Sequence, residues 1–306
     1  MNIFMKFYDA IKEFSGWKSF SRKMTTVHGY DYDLRAFCLY LKNPELETVG
    51  WKDMQDYMNM MLELGWDKNT FVRKFIAFRK FFEYWHKKDK QYLDPDWIPV
   101  MHAEMKQPRV IDEENYKKLL GVIPKETVDP RHIRNLAMIN MFWDTGARNG
   151  EILSLEVEDI DLDKKRALIR TEKARIRRVF REIFWTEETN ENLRAWLVKR
   201  TFLQVDGMID KDNHALFVSI SGTKSGARLL KNGLAEIFRR YCDKAKITHF
   251  NPHSFRHHMG HDIIEKGGTN SDVANILGHS KLESSFIYTM MTNKELESRY
   301  RHFKGK

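Results

Sequence analysis

A chain of 306 residues with 42% hydrophobic content, 20 Phe and 8 Trp has room for two domains of ordinary size and enough apolar material for real cores. Its net charge of +9 suits a polyanionic partner, although a basic protein with a solvated surface has the same balance. Cys38 and Cys242 stand far apart in no metal-ligand spacing, as in a reduced cytoplasmic compartment, while the charged start and the lack of a long apolar run exclude a signal peptide and a membrane span.

Residues 1 to about 90 read as helices. Leu34, Phe37, Cys38 and Leu41 give helical periodicity to Ser21–Leu41, and Asn43-Pro44 stops it. Trp51–Leu64 carries a stripe of Met54, Tyr57, Met58, Met61 and Leu62. Asp67–Lys88 carries Phe71, Phe75, Phe78, Phe81, Phe82 and Trp85, a stripe expected in the core. Arg73, Lys74, Arg79 and Lys80 interleave with it, either as a solvated face or as a phosphate-binding one. Pro95, Pro99 and Pro108 forbid a regular helix through Gln91–Arg109, so a linker is expected there. The domains are therefore placed at 1–105 and 106–306.

Asp112 caps the next helix, with Glu113 and Glu114 in its first turn. An apolar helix follows over Arg131–Asp144; Thr145-Gly146 ends it, and Arg148 stands where another begins. Glu151, three residues on, can brace that guanidinium, or the two form an ordinary surface ion pair. Lys164–Trp185 reads as a β-hairpin with Glu172–Ile176 as its turn. Nine basic residues and one acid lie between Lys164 and Arg181, including Lys173, Arg175 and Arg177. Such a hairpin is either solvent-exposed or laid against a polyanion. Leu229–Lys244 is a further helix, and Ser221–Gly226 a polar loop before it.

Asn251–Met291 carries the densest chemistry. Pro252 suits a helix start, and His253 and Arg256 share one face of that helix. Arg256 can bind two phosphate oxygens through its planar fork, and His253 can donate to an oxygen or hold a proton near neutral pH. Gly278 marks a helix end just before His279, and Tyr288 follows nine positions later. A phenol is a poor nucleophile near its unperturbed pKa of about 10, but nearby cations lower that value. His253, His257 and His261 are spaced by four, which invites a zinc reading; the helix offers no cysteine and no HExxH glutamate for it.

HSFRH, then LGHS, then Tyr288, all downstream of TGARNGE, resembles the tyrosine recombinases, the phage-integrase family, and its compact Xer-type members most. The resemblance covers roughly Lys106–Phe303 by motif order and extends more weakly over the N-terminal third. It implies a mainly α fold with a small β-hairpin or sheet: an N-terminal helical, SAM-like core-binding domain and a C-terminal α+β catalytic domain. It implies that Tyr288 attacks the scissile phosphate of double-stranded DNA to form a 3′-phosphotyrosyl bond. Arg148 and Arg256 would then stabilise the transition state, His253 and His279 would hydrogen-bond its oxygens, and Glu151 would support them. Lys173 would protonate the leaving 5′ oxygen, although Ala174 stands where relatives often carry glycine. Arg73, Lys74, Arg79, Lys80, Arg175 and Arg177 would contact DNA. No cofactor or metal is called for, and there is no GxxxxGK loop. Four subunits, alone or with a second recombinase, would assemble on two DNA sites for integration, excision or dimer resolution. In relatives the segment after the tyrosine joins protomers; here Thr292-Asn293-Lys294-Glu295 fits a capping box, followed by an apolar face of Leu296, Tyr300 and Phe303. Two other classes fit the same residues: a type IB topoisomerase that relaxes DNA as a monomer, and a non-catalytic DNA-binding protein of the same fold.

Overall fold

The computed structural model describes residues 5–20, 22, 24–104, 109–124, 126–170, 180–223, 225–278 and 301. The chain divides into two compact units, Met1–Gln107 and Pro108–Lys306. Among the described residues no helix is long and apolar enough to cross a membrane.

The first unit contains α1 (Phe7–Ser19), α2 (Met24–Tyr40), α3 (Trp51–Glu63) and α4 (Lys68–Lys88). The aromatic stripe of α4 is its core: Phe71, Phe75, Phe78, Phe81, Phe82 and Trp85 are buried against Phe7, Phe14 and Phe37. Phe7 meets Phe37 edge-on at 5.8 Å and Phe14 meets Phe81 at 5.4 Å, the geometry the ring quadrupole favours. In α1, whose boundaries the sequence pattern does not mark, Phe7, Ala10, Ile11 and Phe14 form a buried stripe at helical spacing. The turn after α2 puts Lys42 and Asn43 at positive φ, and the Asn43 side chain accepts from the Tyr8 backbone N–H at 2.9 Å. Among the described residues of the linker region, Pro95–Trp97 forms a short 3-10 turn.

One of the expected phosphate-facing residues of α4 faces the core instead. Lys74 is completely buried; its Nζ lies 3.2 Å from an Asp33 carboxylate oxygen and beside the rings of Trp66 and Tyr57. A lysine so enclosed neutralises Asp33 and has no face for DNA. Arg79 donates to the Ile98 carbonyl at 3.1 Å and to Asp96 at 2.9 Å, so it holds the 3-10 turn against α4. Arg73 is half exposed while bonded to Asp33, and Lys80 is partly exposed beside Glu83.

The second unit contains α5 (Glu113–Gly121), α6 (Pro130–Thr145) and α7 (Asn149–Ser154). Next come the strands β1 (Ile160–Asp161), β2 (Arg166–Arg170) and β3 (Phe180–Phe184). The unit continues with α8 (Glu187–Val205), α9 (Lys231–Ala245), α10 (Pro252–Glu265) and α11 (Asn270–Leu277). The sheet is antiparallel in the order β1-β2-β3, with Ala167 opposite Ile183 and Ile169 opposite Arg181. The expected turn, Glu172–Ile176, lies outside the described residues, and so does the tail helix expected after Thr292. β1 and α8 were not anticipated. In α8 the face toward α6 mixes Leu193 and Trp196 with Thr189, Asn190 and Arg200. The polar members are satisfied inside; Arg200 donates to the Ala215 carbonyl at 2.9 Å and Trp185 to Asn190 at 3.1 Å.

Local chemistry sets the ends of the helices that matter most. Asp112 caps α5 by accepting from the Asn115 N–H at 2.7 Å. Asn251 caps α10 by accepting from the His253 and Ser254 N–H groups, and Pro252 occupies its first turn. Gly146 closes α6 in the left-handed region, where an added Cβ would stand 2.8 Å from Leu277 and 3.0 Å from Met259. The left-handed backbone favours glycine at 146, and a side chain there would press on Met259 of α10 and Leu277 of α11.

The burial of Lys74 carries a stability prediction. Asp33→Ala should destabilise the first unit by about 3–5 kcal/mol, because it strands a buried cation. Urea unfolding of the full chain, followed by hydrogen exchange in α2 and α4, measures this; a loss below about 1 kcal/mol contradicts the pairing.

Candidate active site

α11 is two turns long, and its last carbonyls have no helical partners. Three arginines from three other elements supply them. Arg181 of β3 donates to the Ile276 carbonyl at 2.6 Å. Arg256 of α10 donates to the Leu277 carbonyl at 2.7 Å and, through its other terminal nitrogen, to the Gly146 carbonyl at 3.1 Å. Arg148, at the start of α7, donates to the Gly278 carbonyl at 3.0 Å.

Glu151 ties this group together and is fully buried. One carboxylate oxygen accepts from Arg148 Nη1 at 2.8 Å. The other accepts from the Arg148 backbone N–H at 2.8 Å and from Arg181 Nη2 at 2.9 Å. The surface ion-pair alternative for Arg148 and Glu151 is therefore excluded. Among the described residues the cluster brings three guanidinium groups to one carboxylate and to the negative end of a short helix, about half an elementary charge. Arg256 is 2% exposed, and the Arg148 and Arg181 side chains are mostly buried. Burial pushes the Arg181 guanidinium below its ordinary pKa, and the neighbouring Glu151 carboxylate opposes that. Guanidinium groups in surplus at a buried site suit an anion of phosphate geometry.

His253 is exposed in the first turn of α10, its ring 4.5 Å from that of His257. The same helix thus sends Arg256 inward and leaves His253 toward solvent. Further along, His258 stacks on Trp143 at 4.0 Å, and Trp143 stacks on Tyr116 at 3.8 Å, which seats α10 on α6 and α5. Burial pushes the His258 imidazole below its ordinary value, against the pull of Asp262 and Glu265. Among the described residues no group of three His, Cys, Asp or Glu is placed to hold a metal ion.

Of the expected site residues, Arg148, Glu151 and Arg256 meet at the end of α11. His279 is the next residue in sequence after Gly278. Lys173, Arg175, Arg177, His279 and Tyr288 lie outside the described residues. Arg181 was not singled out beforehand. The alternation Arg181, Ile183, Trp185 carries its signal, because it places an arginine on the inward face of β3.

Comparison with known proteins agrees with the geometry. Residues 109–295 match the phage integrase family, and residues 17–88 match the phage integrase N-terminal SAM-like domain. The chain belongs to the phage integrase family, and it is a tyrosine site-specific recombinase of Xer-like kind. It is 24% identical over 282 residues to tyrosine recombinase XerC of Staphylococcus carnosus, covering 90% of this chain and 89% of that one. It is 25% identical over 283 residues to XerC of Corynebacterium glutamicum, covering 90% and 84%. In fold it is similar to the XerH recombinase bound to a palindromic difH substrate, with a TM-score of 0.71, 21% identity and 97% and 85% of the two chains covered. It is also similar to a lambda integrase dimer on a core site, with a TM-score of 0.67, 14% identity and 93% and 95% covered.

Gly278 tests the carbonyl array. It lies at φ +67°, and an added Cβ would fall 2.8 Å from Arg181 Cδ and Nε. Gly278→Ala should cost about 1–2 kcal/mol of stability through backbone strain. It should also lower recombination at least about tenfold, because Arg181 must move; one such decade corresponds to ~1.4 kcal/mol. Thermal unfolding and a plasmid recombination assay measure the two effects. A destabilised variant with full activity contradicts the dependence on this array.

Proposed function

We propose that the chain cuts and rejoins double-stranded DNA through a covalent 3′-phosphotyrosyl intermediate on Tyr288. The observation that carries this reading is the convergence of Arg148 and Arg256 on the carbonyls of Leu277 and Gly278, immediately before His279. Fixed by carbonyls and by Glu151, the two guanidinium groups need little reorganisation when charge develops on the phosphate. They bind its non-bridging oxygens and stabilise the five-coordinate transition state. Tyr288 is the nucleophile, His253 and His279 hydrogen-bond those oxygens and assist its proton, and Lys173 delivers a proton to the departing 5′ oxygen. The ester conserves the phosphodiester bond energy, so the freed 5′ hydroxyl of a partner strand can attack it without a nucleotide.

The substrate is a pair of recombination sites, each built of two half-sites, occupied by four protomers of this chain or by pairs of it with a second recombinase. The first unit grips the duplex, with Arg73 and Lys80 as its phosphate contacts on α4; Arg175 and Arg177 reach the backbone from the hairpin. Such a protein works in the cytoplasm at the nucleoid. The tail from Asn293 onward docks on a neighbouring protomer.

Tyr288→Phe should bind a half-site as the intact chain does and form no denaturation-resistant protein–DNA adduct, as read on a gel after mixing with nicked substrate. An adduct from that variant places the nucleophile elsewhere. None of these roles uses a divalent ion, so adduct formation by the intact chain should persist in excess chelator. Loss of cleavage in chelator, restored by magnesium or zinc, overturns the mechanism.

A further inference from the structure

We propose that Arg181 is a positioning residue for this chemistry: as the second counter-ion of Glu151, it keeps the charge of Arg148 available to the scissile phosphate. The inference rests on the reading above and extends it to a residue outside the expected set. Glu151 is fully buried and has two cationic partners on opposite oxygens. With Arg148 alone, that carboxylate would cancel most of the field Arg148 presents, because opposite charges 2.8 Å apart look nearly neutral from a few ångströms away. Arg181 divides the carboxylate between two guanidinium groups and restores a net positive site.

Its other bonds fit the same role. Arg181 Nη1 holds the Ile276 carbonyl, and its aliphatic stem lies against Gly278, the residue whose carbonyl holds Arg148. One side chain therefore sets both the carboxylate and the backbone that orient Arg148. Its position opposite Ile169 in the ladder of β2 and β3 fixes it from behind. Arg181 reaches the phosphate through these neighbours and acts without touching it.

The test separates charge compensation from a general structural role. Adduct formation on a nicked half-site is followed in a single turnover at saturating protein, with the half-site Kd measured alongside. Arg181→Met keeps the stem but removes the charge. It should slow adduct formation by about ten- to a hundredfold while changing Kd less than about threefold, the signature of a loss confined to the transition state. Arg181→Lys keeps a charge within reach of Glu151 but cannot also hold the Ile276 carbonyl, so it should lose less than about tenfold and remain faster than Arg181→Met. Adding Glu151→Gln to Arg181→Met removes the uncompensated carboxylate and should recover about tenfold. A double variant no faster than Arg181→Met overturns the proposal, as does an Arg181→Met rate equal to the intact one. Should Arg181→Met fail to fold, the folded Arg181→Lys decides: a loss beyond about tenfold contradicts charge compensation, and a smaller loss supports it. If the intact chain itself forms no adduct at Tyr288 in this assay, the proposed function fails; if only the Arg181 variants behave otherwise than expected, the positioning role fails alone.

Discussion

The candidate site depends on one constraint, the need of a short helix to satisfy its last carbonyls. α11 ends at Leu277 and is capped by Gly278, and the carbonyls of Ile276, Leu277 and Gly278 each receive an arginine from a different element. The same bonds cap the helix and immobilise the cations. Three guanidinium groups that would repel one another in an open cleft are held by carbonyl dipoles and one buried carboxylate. Packing around them is tight: a Cβ at Gly146 would press on Leu277 and Met259, and one at Gly278 on the Arg181 stem.

Ion pairs serve opposite ends in the two units. Among the described residues at the end of α11, three guanidinium groups surround one carboxylate, an arrangement that suits an anion. In the first unit Lys74 is spent on Asp33, deep beside an aromatic core, and contributes no field outside. Basic composition alone does not locate a DNA-binding face, because burial decides which charges remain available.

Features fixed by nearest neighbours along the chain were legible in the sequence. The cap at Asp112, the helix start at Pro252 and the glycine ends at 146 and 278 follow from local backbone chemistry. His253 and Arg256 do lie on one helix, but the expected shared face divides: Arg256 is buried and His253 is exposed. Features set by distant partners were not legible. Lys74 finds Asp33 across 41 residues of sequence, so a lysine between phenylalanines read as exposed. The α8 pattern was hidden because Thr189, Asn190 and Arg200 occupy buried positions that a hydrophobic stripe would fill. Arg181 meets Glu151 across 30 residues and Ile276 across 95, which only the folded hairpin reveals. Strand alternation supplied the one local hint, an arginine in phase with Ile183.

The central claim is that the arginines held by α11 are directed at the charge of the scissile phosphate. Cleavage of DNA carrying a neutral methylphosphonate at that position tests it most directly, with the intact chain compared against Arg256→Ala. Removing the phosphate charge removes most of the need for a guanidinium partner. Arg256→Ala should therefore lose at least about a hundredfold on ordinary DNA and less than about tenfold on the neutral substrate, a gap of ~1.4 kcal/mol or more. An equal loss on both substrates would contradict the claim and leave Arg256 as a brace for α11 alone.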